Sequence, residues 1–342
     1  MTKPLRTVLV GLGRIGASYV DDRKMAGSVP FVTHAQVLAA HAAFRWEAAV
    51  DVSADARDLV RSRFGVHRAV PALEDLDCLA DVDVVVLATP PAFRLPVLDA
   101  FPNLKAVLVE KPLGATLAES KAFARECERR GIVTQVNLTR RADPVMRALA
   151  NGGLRERIGN VQCGFGVYGN GVINYATHTV DLVRMLVGEI SAVQVIASGR
   201  RFQEGPLTDD VNLSFTLFLE GGAPLTLHPV RFAQYREGSL DLWGEGGRLE
   251  ILQEGLLTRN TPKDDCRSLE GAFELAADRS EFVPTGYGHA LFDLYDDLAA
   301  VLKDERSTTC SSCESALVTE SIVHAVLESA RLGGAVVEMT TH

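Results

Sequence analysis

The first 140 residues alternate short β-rich runs with amphipathic helical stretches, and this alternation admits few folds, because each strand must be carried over to lie parallel to another. The runs are Thr7–Val10, Glu47–Asp51, Val66–Val70, Val82–Ala88, Ala106–Glu110 and Ile132–Val136. Several are nearly continuous Val/Leu, as strands buried on both faces require. Ser53 opens a helix that stops near Phe64-Gly65, and Thr116 with Glu119 caps one that runs to Arg130, where Gly131 ends it.

Beyond about residue 140 the strands lengthen and alternate: Val161–Val167, Ala192–Ser198, and Leu213–Leu219 turning at Gly221-Gly222 into Pro224–His228. Leu240–Trp243 and Arg248–Leu252 flank a further glycine turn, and helices are expected over 288–302 and 314–332. With 342 residues the chain exceeds the size of a single core. The reading is α/β: a dinucleotide-binding domain over 1–138 and an α+β domain over 139–342 that serves substrate binding and oligomerisation.

A net charge of −9 disfavours nucleic acid and anionic membrane as partners and leaves a small molecule. No apolar run reaches the ~18–20 residues that span a bilayer. Met1–Leu12 reads as a short tail entering a strand, so a cytoplasmic protein is expected. The six scattered cysteines are too few for a disulfide scaffold, and most of them read as reduced thiols. Cys310 and Cys313 form a CxxC without a second pair, and Ser311 with Glu314 reads there as a capping box ahead of a helix; no metal is expected.

Gly11-Leu12-Gly13-Arg14-Ile15-Gly16 follows the first strand directly, where GxGxxG lets backbone approach a pyrophosphate. Asp51, at the end of the second strand, is placed to accept from an adenosine ribose and to repel the 2′-phosphate of NADP, which favours NAD without excluding NADP. It lies 35 residues beyond Gly16 rather than the usual ~20. The turn-rich stretch Asp21–Pro30, followed by a new helix from Thr33 to Phe44, accounts for the difference. Ala88-Thr89-Pro90 and Glu110-Lys111-Pro112 end the fourth and fifth strands, at the edge where open α/β sheets bind ligands. Pro112 restricts Lys111 to an extended backbone, and a lysine held at a strand end can act as acid or base. Asn174 and His178 share a face if the chain is already helical at Asn174, with Asp181 one turn on to fix the imidazole tautomer.

In this order the motifs resemble the Gfo/Idh/MocA family (glucose-fructose oxidoreductase, inositol dehydrogenase, rhizopine catabolism). The likeness covers the glycine loop, Asp51, Phe64-Gly65-Val66, Asp83–Pro91, Glu110–Leu113, Asn137 with Arg140-Arg141, Asn174–Asp181 and Gly244–Leu249. It implies an N-terminal Rossmann domain and a C-terminal α+β domain with a large open, mixed, mainly antiparallel sheet that often buries its free face in a homodimer or homotetramer. It also implies NAD(P)-dependent oxidoreduction at a secondary hydroxyl of a sugar, nucleotide sugar or cyclitol. Lys111 and His178 match the family's catalytic pair, and the Lys-Pro peptide is often cis in relatives. Ala88, Thr89, Pro90, Glu110, Lys111 and Asn137 join the glycine loop and Asp51 on the cofactor side. Lys111, Asn137, Arg140, Tyr168, Asn174 and His178 face substrate.

Two positions depart from the pattern. Asn174 stands where many members have an Asp, and Arg94 where a His often follows the strand-four prolines. Asn cannot take a proton, which leaves Lys111 or His178 to serve alone. Two rival readings stay open: a non-catalytic NAD(P)-sensing regulator of the same fold, and an aldose or imine oxidoreductase of the family.

Overall fold

The computed structural model describes residues 3–21, 29–269 and 272–339. They form two compact units, Met1–Ala142 with Tyr287–Leu317, and Asp143–Gly286 with Val318–His342.

In the first unit, β1 (Leu5–Val10), β2 (Phe44–Val50), β3 (Ala69–Val70), β4 (Val84–Leu87), β5 (Ala106–Val109) and β6 (Val133–Val136) make one sheet. Its order is β3-β2-β1-β4-β5-β6 and every pairing is parallel. The continuous apolar runs have a direct cause. Val85, Leu87, Val107 and Val109 enter one core, while Val84, Val86, Ala106 and Leu108 enter the core on the other face. All eight are fully buried, each a contribution of about 1–3 kcal/mol.

The first crossover is split. After the glycine loop, Ala17 N donates to Gly13 O (2.9 Å) and Tyr19 N to Arg14 O (2.9 Å), a pair of turns that ends in a 3₁₀ segment, Ser18–Asp21. The turn-rich stretch expected over Asp21–Pro30 lies largely outside the described residues. The helix His34–Ala40 follows, capped by Thr33 in a reciprocal box with Gln36. Its first amides return to the loop, His34 N to Ile15 O (3.0 Å) and Ala35 N to Gly16 O (2.9 Å). This helix ends four residues before the expected Phe44, because Phe44 pairs with Leu5 as the first residue of β2. The third strand is also shorter than expected, with Val66 sealing the turn after Gly65 through a bond from its N–H to Val60 O (3.4 Å).

In the second unit lie β7 (Val161–Tyr168), β8 (Ile190–Val195), β9 (Arg201–Gln203), β10 (Val211–Leu213), β11 (Phe215–Leu219), β12 (Pro224–Pro229), β13 (Ser239–Gly244), β14 (Gly247–Leu252), β15 (Leu257–Leu269), β16 (Ala272–Leu275), β17 (Glu281–Pro284) and β18 (Val337–Glu338). Ten of them form one sheet, ordered β16-β15-β14-β13-β7-β12-β11-β8-β18 with β17 beside β15. All of its pairings are antiparallel except β12 with β7. One face buries Leu217, Leu227, Leu242 and Ile251 with Val180 and Val183 of the helix Thr177–Leu186. The opposite face shows Phe165 and Trp243, with Arg248 paired to Asp241 (2.8 Å) and Glu250 (3.0 Å).

The CxxC segment does open a helix, Cys313–Arg331, but with a different cap from the one expected. Ser312 Oγ accepts from Ser315 N (3.3 Å), whereas the fully buried Ser311 hydroxyl has no hydrogen-bond partner among the described residues. Cys313 lies against Cys127, whose thiol is pushed up by that contact and by burial. No cluster of three metal-ligating side chains occurs among the described residues, and none of the described helices is long and apolar enough to cross a membrane. Ser312→Ala is predicted to destabilise the protein by about 1 kcal/mol, and Ser311→Ala to be neutral or stabilising, in thermal denaturation compared side by side.

Candidate active site

Strand order reverses between β1 and β4, and at such a switch the loops leaving the carboxyl ends diverge to leave a crevice. The glycine loop leaves β1 with Gly11 at φ +95°. A Cβ on Gly11 would lie 2.6 Å from the carbonyl of Ala88, and one on Gly16 would lie 2.2 Å from Gly11 O. Both glycines are therefore required by the loop's own packing. Gly13 differs: an added Cβ would meet nothing within 4 Å, so its exposed backbone is open to a ligand. Arg14 is exposed beside it and Ile15 half-buried. Asp51 is bound to this loop, with Oδ2 accepting from Leu12 N (2.6 Å) and Oδ1 from Ser53 N (2.8 Å). Each oxygen keeps a lone pair for a further donor. Arg57 Nη1 donates to Asp51 O (2.7 Å).

The loop after β4 begins with Ala88 N donating to Val10 O (2.8 Å), and the buried Thr89 hydroxyl oxygen has no hydrogen-bond partner among the described residues. Arg94, to which sequence assigned no role, is buried, and its guanidinium donates to Thr89 O (3.3 Å) and to Pro112 O. It thus ties the loop after β4 to the loop after β5. The Lys111-Pro112 peptide is cis.

Glu110 directly precedes Lys111, with a side chain 12% exposed. Its Oε1 faces His34 Nε2 (3.0 Å) and accepts from Asn137 Nδ2, while His34 Nδ1 lies 2.9 Å from Tyr295 Oη. Burial alone would raise the Glu110 carboxyl, but the hydrogen bonds from His34 and Asn137 and the charge of Lys111 hold it below the ordinary carboxylate range. An ionised carboxylate only accepts, so Nε2 carries a proton and, in the neutral ring, Nδ1 accepts from the Tyr295 hydroxyl. Burial and the Glu110 charge keep that hydroxyl protonated. With its N–H₂ group committed to Glu110, Asn137 retains a buried carbonyl oxygen that has no partner among the described residues. Arg140, in the next turn, is buried with its guanidinium 4.8 Å from the Tyr287 ring centroid.

In the second unit the chain is helical from Val172, as a wide turn that continues into Thr177–Leu186, so Asn174 and His178 stand one turn apart. The anchor of this start is Asp210, buried and accepting from Ile173 N (2.9 Å) and Asn174 N (2.7 Å). A Cβ on Gly171 would strike that carboxylate at 2.0 Å. Asp181, expected to orient the imidazole, has Oδ1 bound by Thr319 Oγ1 (3.0 Å) with Arg184 Nη1 4.0 Å away. Tyr168, read as a substrate contact, is corrected to a core residue. It is fully buried, and its hydroxyl donates to Leu213 O (2.6 Å) and accepts from Leu213 N (2.8 Å). Burial pushes this hydroxyl well above its ordinary value.

One sheet edge of the first unit therefore gathers the glycine loop, Asp51, Ala88–Pro90, Glu110-Lys111 and Asn137. The open Gly13 backbone, the spare lone pairs of Asp51 and the two orphaned oxygens of Thr89 and Asn137 fit a dinucleotide, which offers phosphate oxygens to N–H groups and hydroxyl or amide donors to oxygens. Sequence reasoning missed His34, Tyr295, Arg94 and Asp210 as parts of these sites. Thr33 signalled the helix that carries His34, but nothing local signalled the partners of the other three.

Residues 5–138 match the family described as "Oxidoreductase family, NAD-binding Rossmann fold", and residues 166–250 match the "GFO/IDH/MocA C-terminal domain". The chain is 28% identical over 176 residues to trans-1,2-dihydrobenzene-1,2-diol dehydrogenase of Oryctolagus cuniculus, covering 45% of this chain and 54% of that one. It is 27% identical over 218 residues to scyllo-inositol 2-dehydrogenase (NAD(+)) of Bacillus subtilis (strain 168), covering 56% and 57%. The matches thus span little more than half the length of these relatives. Among solved structures, levoglucosan dehydrogenase in complex with NADH and levoglucosan superposes with a TM-score of 0.74 at 19% identity, covering 99% of this chain and 100% of that one. That likeness is one of fold.

Two outcomes are predicted. Tyr168→Phe leaves both backbone groups of Leu213 without their buried partner and costs about 1–3 kcal/mol in thermal denaturation. Because the folded-state pKa of Glu110 is depressed, its contribution is fully present above the unfolded value of about 4.3 and is lost as pH falls through the folded value. The difference in melting temperature between wild type and Glu110→Gln should hold steady near neutrality and collapse below about pH 4.3.

Proposed function

Because the chain belongs to the GFO/IDH/MocA oxidoreductase family, we propose that it is an NAD-dependent dehydrogenase acting on a secondary hydroxyl of a sugar, nucleotide sugar or cyclitol. The first unit is the dinucleotide-binding domain in this reading, and the second carries substrate-recognising residues. The observation that carries it is the gathering of an open Gly13, a loop-bound Asp51, and Lys111 beside an ionised Glu110 along one sheet edge.

Backbone N–H groups at Gly13–Ile15 would hold the pyrophosphate, and Asp51 the adenosine ribose. The Asp51 charge disfavours a 2′-phosphate, so NAD is preferred over NADP, although the nearby Arg57 guanidinium leaves NADP weakly accommodated. When bound, NAD supplies the acceptor for a carbon-bound hydride. Lys111 and His178 are assigned the acid–base work: in the oxidative direction the carbinol proton passes to the neutral amine or imidazole, and in reduction it returns. Asn174 cannot take a proton and is assigned to a substrate hydroxyl, alongside Asn137 and Arg140.

We further assign the open face of the large sheet, bearing Phe165 and Trp243, to a homodimer or homotetramer contact. Cys78, Cys127, Cys163, Cys310 and Cys313 are free thiols, in keeping with a reducing cytoplasm.

The test is NAD reduction with a panel of polyols, cyclic diols, anhydrosugars and nucleotide sugars. Lys111→Ala and His178→Ala are each expected to lower turnover about a hundredfold or more while NADH affinity stays within a few-fold. Unchanged turnover in both variants would discard the assignment.

A further inference from the structure

Glu110 is the acceptor on which four elements converge. The helix His34–Ala40 presents His34, and the helix Ala290–Leu302 presents Tyr295 behind it. Asn137 follows β6 and gives up its N–H₂ group to the same oxygen. Lys111 is the next residue along the chain, and beyond it Pro112 O is held by the Arg94 guanidinium. The titratable groups facing Glu110 are thus His34, Lys111 and, at one remove, Tyr295; Arg94 adds a fixed charge one loop away. His34 and Tyr295 are fully buried, so neither has a surface with which to meet a ligand.

The chemistry of the contacts sets a direction along this chain. His34 Nε2–H donates to Glu110, and in the neutral ring Tyr295 O–H donates to His34 Nδ1. Asn137 N–H₂ also donates to Glu110, and the amide oxygen of Asn137 is left over as an acceptor. Turning over the Asn137 amide, or moving the Nε2 proton of His34 to Nδ1, would set a lone pair against the charged Glu110 oxygen inside the core, at the cost of a buried unpaired group. The Asn137 amide therefore cannot turn over while Glu110 is charged.

We propose that His34 and Tyr295 are positioning residues: acting through Glu110, they hold the Asn137 carbonyl in one orientation as a fixed acceptor and keep a negative charge beside Lys111. This rests on the dehydrogenase reading and deepens it. The acceptor favours a ligand group with N–H or O–H, such as the nicotinamide carboxamide or a substrate hydroxyl. The charge keeps the Lys111 amine protonated to higher pH than a neutral neighbour would.

The experiment uses the full chain and the variants His34→Leu, His34→Gln, Tyr295→Phe and Glu110→Gln. NADH binding is titrated by fluorescence from acid to neutral pH, and the reactivity of individual amines with trace acetic anhydride is read by mass spectrometry across alkaline pH. In wild type the acid loss of NADH binding is expected below the ordinary carboxylate range. His34→Leu is expected to move it up by about one pH unit or more. His34→Gln, whose amide can still donate to Glu110, should move it less than half as far, and Tyr295→Phe should move it in the same direction as His34→Leu. Glu110→Gln should abolish the part of that acid limb that His34→Leu moves and lower the reactivity midpoint of Lys111 by about one unit, with the exposed Lys303 unchanged.

Superimposable acid limbs in wild type, His34→Leu and Tyr295→Phe overturn the proposal, as does a His34→Gln limb displaced as far as that of His34→Leu. Should His34→Leu not fold, Tyr295→Phe and His34→Gln decide the same question. The amine measurement needs neither cofactor nor turnover. If NADH binds at no pH, the cofactor reading fails while the Lys111 midpoint still decides this one, and an unchanged midpoint in Glu110→Gln rejects it. If the Lys111 midpoint shifts but Lys111→Ala turns over normally, the catalytic assignment falls and the positioning network stands.

Discussion

Glu110 loses most of its water at the end of β5, and a carboxylate in that position stays charged only where donors replace the lost hydration. His34, Asn137 and the adjoining Lys111 supply that replacement from three separate elements. The requirement runs in both directions. Without these donors burial would neutralise the acid, and without the charge the Asn137 amide and the His34 ring would have no reason to hold one orientation. The split first crossover has its purpose here, since the helix that follows it is the one that delivers His34 to Glu110.

The same sheet edge divides its tasks by residue type. Gly11 and Gly16 are consumed by packing against Ala88 and the loop itself, which leaves Gly13 as the glycine whose bareness faces outward. Asp51 lends a lone pair to Leu12 N and another to Ser53 N, so the carboxylate expected to meet a ribose also shapes the loop expected to meet phosphate. Arg94 performs a similar double service between the loops after β4 and β5, and the departure from the family's usual residue at this position is a structural tie rather than a vacancy.

Most of the first unit was legible because its signals are local. Continuous Val/Leu runs mark strands buried on both faces, Thr33 and Thr116 mark helix starts through their own hydroxyls, and the glycine spacing marks the loop after β1. Boundaries failed where a distant partner decided them: Phe44 left its helix to pair with Leu5, and the cap at Cys313 moved by one serine. Tyr168 failed for a similar reason. An aromatic with a hydroxyl on an alternating strand reads equally well as a ligand contact or as core, and the decision rests on Leu213, 45 residues away. Asp210 is 36 residues from Asn174, and Tyr295 is 261 from His34; no periodicity or spacing rule carries information over such separations.

The central claim is that the edge formed by Gly13, Asp51 and the Glu110–Asn137 pair is a dinucleotide site. A crystal structure of the NADH complex tests it most directly. The account predicts density for the pyrophosphate over Gly13, ribose hydroxyls on Asp51 and the nicotinamide end beside Lys111. Density elsewhere on the chain, or a dinucleotide whose phosphates turn away from Gly13, would contradict it.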